Sequence, residues 1–259
     1  MASTKTFKGE RRKLFVLYER TVDLDVTKID GIDMEPLISF PVWEHYIDLL
    51  RGPIYVNLVK DFWLHAYIDQ ASEEDFKIKS LVWGNPITIT PSSITDAIRC
   101  PHHGEDIEKY RNNSPFAKDI GKLLSESYDK TKDITLGIRI WHMLIINNLL
   151  PRSLTPESIS LDDKHLLLFL FQKTRINLPL IIFNHLKSTI IASRKGNIYS
   201  IPYGRVLSIL FHKEGMTQKG QKLGSVKASA LSWGNELIAT MGDDLNDDSY
   251  SSDEPNTNR

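Results

Sequence analysis

Five aspartates are the first candidates for chemistry, because two-metal phosphoryl transfer requires carboxylates that converge on the ions. They are Asp61, Asp69, Asp96, Asp162 and Asp163. The pattern places Asp61 and Asp69 on the polar face of one helix, and Asp162 and Asp163 in the first turn of another, where acids favour the helix dipole. The alternating strands that would bring such acids together are absent. We therefore expect structural roles for them rather than a nuclease site.

Cys100, His102 and His103 form a second candidate cluster, whose residue types suit zinc binding or nucleophilic catalysis. Structural zinc takes four ligands, usually in closely spaced pairs, but the chain has one cysteine and its other histidines are scattered. A cysteine nucleophile needs a base held against its thiol, and nothing in the sequence locates one. Residues 215–223 resemble a phosphate-binding loop in composition but lack its Gly-Lys-Ser/Thr ending. We expect no metal, no cofactor and no enzymatic activity, with Cys100 as an apolar filler.

A basic N-terminal segment is the third candidate, and its composition suits nucleic acid. Its cations are Lys5, Lys8, Arg11, Arg12 and Lys13, and the aromatic residues Phe7, Phe15 and Tyr18 lie near them. Cations pair with phosphates, and aromatic rings stack on bases. A solvated, flexible arm has the same composition, and short basic runs match such patterns by chance. Both interpretations stay open at this point.

The charge balance separates the chain into a basic body and an acidic tail. The formal net charge is −1 and the isoelectric point is about 6.7. Residues 243–259 hold six acidic side chains against Arg259 alone, so the rest of the chain is net basic. A basic body weakly indicates a polyanionic partner. A pI near neutral argues against a dedicated nucleic-acid binder, whose domain pI usually exceeds about 9.

Hydrophobic spacing predicts helices in the first half of the chain, interrupted by one β-hairpin. Apolar residues repeat at helical spacing over residues 43–50 and 54–67. Over residues 76–90 the period changes to two, around a turn expected at Gly84-Asn85. A helix then begins at Pro91 with Thr90 as its N-cap.

The second half of the chain favours helices. Residues 102–135 predict a polar loop with one helix near 114–125, and residues 136–150 and 161–171 are apolar on nearly all sides, as in buried helices. Two more helices are expected over 178–193 and 202–212. Their connection is longer than that of a helix-turn-helix, so we expect a helical hairpin that packs on the core.

These elements predict an α+β fold that is mostly α-helical, namely a helical bundle with one β-hairpin and disordered termini. The expected domain covers residues 36–216, between a basic, loosely ordered arm at 1–35 and a mostly disordered, acidic tail at 217–259. The chain start lacks the apolar region of a secretory signal, and no apolar run approaches the ~18 residues of a membrane span. A single cysteine suits a reducing compartment. This predicts an intracellular protein of the cytoplasm or nucleus with no membrane partner.

Trp83 is the residue that we would first assign to a partner contact. Four tryptophans (Trp43, Trp63, Trp83 and Trp141) fall on predicted apolar faces, for which core packing is the default. Trp83 also borders the hairpin turn, where we expect partial exposure, and tryptophan is enriched among the residues that dominate binding energies.

Three motifs, in this order along the chain, resemble the family called putative plant transposon protein domain. The first is LVKDFW at residues 58–63, and the second is WGNPITITPSSI at 83–94, followed by IRCP at 98–101. The third spans residues 141–215 and includes INLP at 176–179 and IPYG at 201–204. The chain departs from the family at Trp83, where arginine is usual, and at Arg99 and Cys100, which replace Gly-Leu. The resemblance covers about residues 36–216.

This resemblance implies a protein encoded by, or derived from, a plant retroelement, and it transfers no catalytic activity. By analogy such a protein acts as a gag-like component, in assembly or in nucleic-acid association. Its expected partners are then nucleic acid or further copies of itself. The alternatives are a host protein-interaction module without a nucleic-acid role and a degenerate fragment without function.

Overall fold

The computed structural model describes residues 14–21, 41–70, 76–123, 136–152, 159–196, 200–217 and 225–226. Over these ranges the fold is α+β and mostly helical, as predicted. The helices of this part are α1 (Pro41–Leu49), α2 (Val56–His65), α3 (Pro91–Ile98), α4 (Ala117–Leu123), α5 (Leu136–Leu144), α6 (Leu161–Phe171), α7 (Leu178–Lys195) and α8 (Gly204–Lys213). The strands are β1 (Phe15–Val16), β2 (Ile54–Tyr55), β3 (Tyr67–Gln70), β4 (Phe76–Val82), β5 (Asn85–Ile89), β6 (Ser200–Ile201) and β7 (Ser225–Val226).

The main sheet is antiparallel and has the strand order β3-β4-β5. Ile78 lies opposite Ile68 on one side and Ile89 on the other, which gathers apolar side chains on the face next to α2. Strand β3 begins in the range where a helix was predicted. It forms by pairing with β4, the next strand along the chain, and its four residues alone carry no clear strand pattern. Asp69 was expected on a helix face; it lies on β3 instead and pairs with Lys79 at 2.6 Å.

The turn between β4 and β5 lies one residue earlier than predicted. Trp83 and Gly84 have φ angles of 49° and 80°, and β5 already begins at Asn85. Two consecutive positive φ angles are those of a type I′ turn, the common two-residue hairpin connection. Glycine adopts this conformation without strain, whereas tryptophan does so only where surrounding contacts hold it.

Two helices start with reciprocal side-chain caps. At α3, Ser93 N donates to Thr90 Oγ1 at 3.2 Å and Thr90 N donates to Ser93 Oγ at 2.9 Å. Pro91 stands in the first turn, so the predicted N-cap is confirmed. At α6, Ser160 and Asp163 make the same exchange of hydrogen bonds.

The buried helix predicted over 136–150 changes its winding before it ends. Helix α5 continues as a π-helical segment, Ile145–Leu149. Tyr46 Oη donates to the backbone oxygen of Asn148 at 2.8 Å, and Tyr203 Oη donates to that of Leu149 at 2.6 Å. Because carbonyl groups in the last turn of a helix lack intrahelical donors, the two buried tyrosines satisfy groups that would otherwise be unpaired in the core.

Helix α3 lies against both of the last two helices. Helices α7 and α8 each pack on α3, and α8 also packs on α2. Each therefore uses α3 as its main neighbour, whereas the sequence predicted a hairpin of the two. The centre of this packing contains the fully buried side chains of Phe62, Trp63, Ile94, Leu207 and Phe211. Within the described ranges, no helix combines the length and the apolar character that a bilayer crossing requires.

Two short segments from outside the expected domain add strands to the body. β1 pairs in parallel with β6, and β7 pairs in antiparallel fashion with β2. Leu14 and Val16, from the range predicted as a loosely ordered arm, are buried. Tertiary packing holds residues 14–21 on the body. The surface that their apolar side chains contact belongs to distant parts of the chain, so the local sequence could not predict it.

Candidate functional site

The basic cluster proposed from the sequence lies directly before the first described segment. Lys5, Lys8, Arg11, Arg12 and Lys13 fall outside the described residues, so their assignment to nucleic acid stays a prediction. The chain enters the described part at Leu14.

Residues 14–21 present alternating buried and exposed side chains. Leu14, Val16 and Glu19 are buried, with exposed fractions of 1%, 5% and 0%. Phe15 and Tyr18 point the other way and are 57% and 43% exposed. Two aromatic rings thus stand at the surface immediately after the basic cluster, on a backbone that is anchored from its other side.

Glu19 provides the polar anchor of this segment. Its carboxylate accepts hydrogen bonds from Arg205 N at 2.9 and 3.1 Å and from Val206 N at 3.3 Å. These amides lie in the first turn of α8, where backbone N–H groups have no intrahelical acceptor and the helix dipole favours negative charge. Burial raises the pKa of Glu19, and the hydrogen bonds and the Arg205 charge offset this only in part.

Arg205 supplies the counter-charge to Glu19. Its guanidinium Nη1 lies 3.9 Å from Glu19 Oε2, and its Nε donates to Gly52 O at 3.1 Å. Only 1% of Arg205 is exposed, so both members of the pair are removed from water. Burial lowers the pKa of Arg205, while Glu19 opposes that change.

Trp83 lies half-buried at the hairpin turn, as expected for a residue that borders the surface. Its backbone N donates to Asp61 Oδ2 on α2 at 2.7 Å. Asn85 Nδ2 also bonds across the turn, to Val82 O at 3.2 Å. The Asp61 carboxylate therefore holds the positive-φ turn and joins the hairpin to α2. The assignment of Trp83 to a partner contact stays a hypothesis.

The Cys100 cluster has the geometry of a packing element. Cys100 is buried, and burial raises the pKa of its thiol to about 12. His102 and His103 are exposed in the loop that follows. A thiol with this pKa is protonated at neutral pH and therefore a poor nucleophile. Across the described ranges, no group of three or more histidine, cysteine or acidic side chains is placed to hold a metal ion.

The candidate aspartates are dispersed over separate elements. Asp61 is used at the hairpin turn, Asp69 pairs on the sheet, Asp96 is exposed on α3, and Asp162 and Asp163 belong to α6. Asp163 is fully buried and binds His142 Nε2 at 3.3 Å, the guanidinium of Arg152, and Ser160 N at 2.9 Å. Burial would raise the pKa of Asp163, but these bonds and the Arg152 charge lower it to about 2.

One serine–histidine contact also has the residue types of a catalytic pair. Ser114 Oγ lies 2.7 Å from His165 Nε2. The other ring nitrogen, Nδ1, is buried, and no side chain of a described residue binds it. Burial lowers the pKa of His165. A catalytic triad also needs a third side chain that orients the histidine, and within the described ranges none binds Nδ1 of His165.

A model of the putative plant retrotransposon-related domain matches residues 42–217. The chain belongs to this family. No curated protein and no solved structure matches it. The retrotransposon-related domain thus runs from α1 to just beyond α8, while residues 14–21 and β7 lie outside the matched range and pack onto it.

The family assignment agrees with a physical link between two of the motifs used to infer it. In the retrotransposon-related domain of this chain, Asp61 of the first motif accepts the backbone N–H of Trp83 in the second. The third motif contains Tyr203, whose φ of 59° and hydroxyl bond to Leu149 set the start of α8. The motifs therefore mark the joints between elements.

Sequence reasoning missed the buried polar residues that join the N-terminal segment to this domain. They are Glu19, Asn148 and Arg205. Asn148 Oδ1 accepts from Arg20 N at 2.7 Å, although the two residues are far apart in sequence. The one available signal was Glu19 itself, an acid that follows the alternating apolar residues Leu14 and Val16 in a mainly basic part of the chain.

Proposed function

We propose that this chain is a non-catalytic, gag-like component derived from a plant retrotransposon, and that it associates with single-stranded nucleic acid through its N-terminal segment. A helical bundle with a β-hairpin serves as the scaffold. The observation that carries the proposal is the exposure of Phe15 and Tyr18, at 57% and 43%, beside a cluster of five cations. We place its action in the cytoplasm or nucleus, since a single cysteine suits a reducing compartment.

Anchored aromatic rings are well suited to nucleic acid. Base stacking on aromatic side chains contributes about 1–3 kcal/mol per base and tolerates any sequence, because every base has a π-face. Phe15 and Tyr18 stand on a backbone whose other face is fixed by Leu14, Val16 and Glu19. Fixing the rings in advance reduces the conformational entropy that binding would otherwise cost. The cations that precede them add a salt-dependent attraction to phosphates.

The uses of the reactive residue types support a non-catalytic role. Asp61, Asp163 and Glu19 each bind backbone amides that hold a turn or a helix start. Cys100 is buried with its pKa raised to about 12. We expect no cleavage or joining of labelled nucleic acid when the protein is incubated with Mg²⁺ or Mn²⁺. Turnover that survives repurification and disappears with a variant of one of these residues would contradict this.

The binding test uses fluorescence anisotropy of a short labelled single-stranded RNA at increasing salt. We expect Phe15→Ala with Tyr18→Ala to weaken binding by at least tenfold, since stacking on each ring is worth about 1–3 kcal/mol. The matched control is Tyr67→Ala, an aromatic residue that is 39% exposed on β3. This control should bind like the unaltered chain.

The electrostatic part of the binding has its own variant. Replacing Lys5, Lys8, Arg11, Arg12 and Lys13 by glutamine should flatten the salt dependence, by a slope of about 0.7 for each phosphate that is no longer neutralised. The matched control replaces five exposed lysines of the body by glutamine, namely Lys109, Lys118, Lys122, Lys173 and Lys195. If both sets weaken binding equally, the N-terminal segment is not the site.

A host protein-interaction module is the second candidate, favoured by the apolar tip of the hairpin. Leu81 is 46% exposed and lies opposite the exposed Pro86, next to the half-buried Trp83. Absence of RNA and DNA binding at low salt would remove the first proposal and favour this one. Substitution of Leu81 by serine should then abolish the partner contact without a loss of stability.

A further inference from the structure

Residues 14–21 lie on the body in the way that a bound peptide lies in its groove. The groove is formed by β6, the first turn of α8 and the side chain of Asn148. β1 adds to β6 in parallel, with Phe15 opposite Ser200 and Val16 opposite Ile201, and Leu17 N donates to Ile201 O at 2.8 Å. Strand addition of this kind gives affinity through the main chain and specificity through alternate side chains.

Three side chains of residues 14–21 contact the groove. Leu14 and Val16 are apolar anchors, and Val16 meets the backbone of α8 closely enough that a Cβ on Gly204 would lie 2.6 Å from Val16 Cγ1. Glu19 is the charged anchor, held by two amides of α8 and by Arg205. The recognised pattern is therefore Leu-x-Val-x-x-Glu, while Phe15 and Tyr18 face away from the groove.

The contacts described for this segment join it to residues far away in the sequence. Glu19 binds α8, and Arg20 N binds the side chain of Asn148. The matched family domain begins only at residue 42. Residues 22–40 connect the segment to α1, and a chain of that length spans up to roughly 60 Å when it is extended. The same contacts are therefore open to a segment that belongs to another molecule.

We propose that the groove binds residues 14–21 of a second copy of this chain, so that two copies exchange their N-terminal segments. Such an exchange reuses an existing interface and requires no new contact, which makes it a low-cost route to dimers. The segment on its own chain competes through its covalent link to α1, which gives it an effective concentration on the order of millimolar. Dilute protein is then monomeric, and exchange prevails when copies are crowded, as they are in an assembly.

Disulfide trapping between full-length copies tests the exchange. One copy carries Phe15→Cys and the other Ser200→Cys, at positions that lie opposite each other in β1 and β6. After mixing at high concentration under mild oxidation, we expect a disulfide-linked dimer on a non-reducing gel, which Val16→Asp in the first copy abolishes. Pairing Phe15→Cys with Leu81→Cys, which is 46% exposed on β4, controls for random collisions. Equal yields from the two pairings would overturn the proposal.

A peptide measurement keeps the proposal falsifiable where a variant chain folds poorly. A protease recognition sequence is inserted between residues 22 and 40 of the full chain, and the purified protein is cleaved so that its own segment is held without a covalent bond. A labelled peptide of residues 10–21 should then displace that segment, with at least tenfold weaker uptake of the Glu19→Ala peptide, which leaves the Arg205 and Val206 amides without an acceptor. No uptake of the labelled peptide at saturating concentration, or equal uptake of both, would refute the groove.

The two proposals made for this segment fail separately. The Phe15→Ala peptide should enter the groove normally, because Phe15 faces outward, although the same change weakens RNA binding. Val16→Asp should block exchange by removing an apolar anchor that takes no part in stacking. Neither exchange experiment contains nucleic acid, so its outcome does not depend on the proposed nucleic-acid role.

Discussion

In the part of the chain that the structure describes, two fully buried carboxylates bind backbone amides at helix starts, and they reach those helices from very different distances along the chain. Asp163 caps α6 from within the first turn of that helix. Glu19 caps α8 from a segment that precedes the whole family domain. Both carboxylates are 0% exposed, so each must be compensated inside the core.

The two sites compensate the charge to different degrees. Asp163 has donors from His142, Arg152 and Ser160, and its pKa falls to about 2 in spite of burial. Glu19 has two helix amides and Arg205, and there burial prevails and the pKa is raised. The local cap is therefore the electrostatically stronger one. The remote cap holds a tertiary contact, and among the described residues Arg205 is the charged group that stabilises its carboxylate.

Removal of the remote cap should have the largest effect on stability. Glu19→Ala leaves Arg205 buried without its partner and two amides of α8 without an acceptor. Breaking a buried pair in this way costs about 3–5 kcal/mol. Urea unfolding followed by circular dichroism measures the loss, with Glu214→Ala, an exposed acid beyond α8, as the control. A loss below about 1 kcal/mol, as for a surface charge, would mean that Glu19 does not hold the segment.

The local cap should give a smaller effect with a pH signature. The pKa of Asp163 is about 2 in the folded state against an ordinary value of 3.8, so its contribution is present above pH 3.8 and is lost as pH falls towards 2. That difference corresponds to about 2 kcal/mol. Asp163→Asn should lower the free energy of unfolding at pH 7 by this amount and remove that part of the acid dependence. An unchanged acid slope in the variant would assign the dependence to other groups.

The difference between a local and a remote cap also explains which parts of the fold could be predicted from the sequence. Thr90 and Pro91 predicted the start of α3 correctly, because a capping residue and its helix are neighbours in the sequence. The period-two pattern at 76–90 likewise predicted β4 and β5, because the alternation of side chains is visible within each strand. β3 was not predicted, since its four residues become a strand only through pairing with β4.

The contacts that hold residues 14–21 on the domain could not be predicted from the sequence either. Glu19, Asn148 and Arg205 belong to contacts that span most of the chain, and no local pattern connects them. The exposure of Phe15 and Tyr18 likewise follows from which face of residues 14–21 packs on the body. The residue types of the basic and aromatic segment were visible, but the surface that orients them was not.

A third joint, between α2 and the hairpin turn, should rank below both caps. Asp61→Ala removes the carboxylate that accepts the N–H of Trp83, a bond to a charged group worth about 1.5–3 kcal/mol in general and nearer the lower value here because the turn is half-exposed. Hydrogen exchange should show reduced protection at the Trp83 amide. Asp96→Ala, an exposed acid on α3, is the control. If the Trp83 amide stays protected in this variant, the contacts of the Trp83 side chain hold the turn, and the hydrogen bond to Asp61 does not.

The smallest effect is expected one residue away from the local cap. Asp162 pairs with Arg111 at 2.6 Å at the surface, where the two side chains are 20% and 42% exposed. Such pairs contribute about 0.2–1 kcal/mol and are screened by salt. Asp162→Asn should therefore cost less than Asp163→Asn and lose its effect in high salt, whereas the loss at Asp163 should persist. Asp162 and Asp163 lie on the same helix and carry the same charge, so burial is the main difference between them. Equal losses of stability for the two variants would show that burial does not set the contribution of a carboxylate here, which would contradict the ranking of the predicted effects.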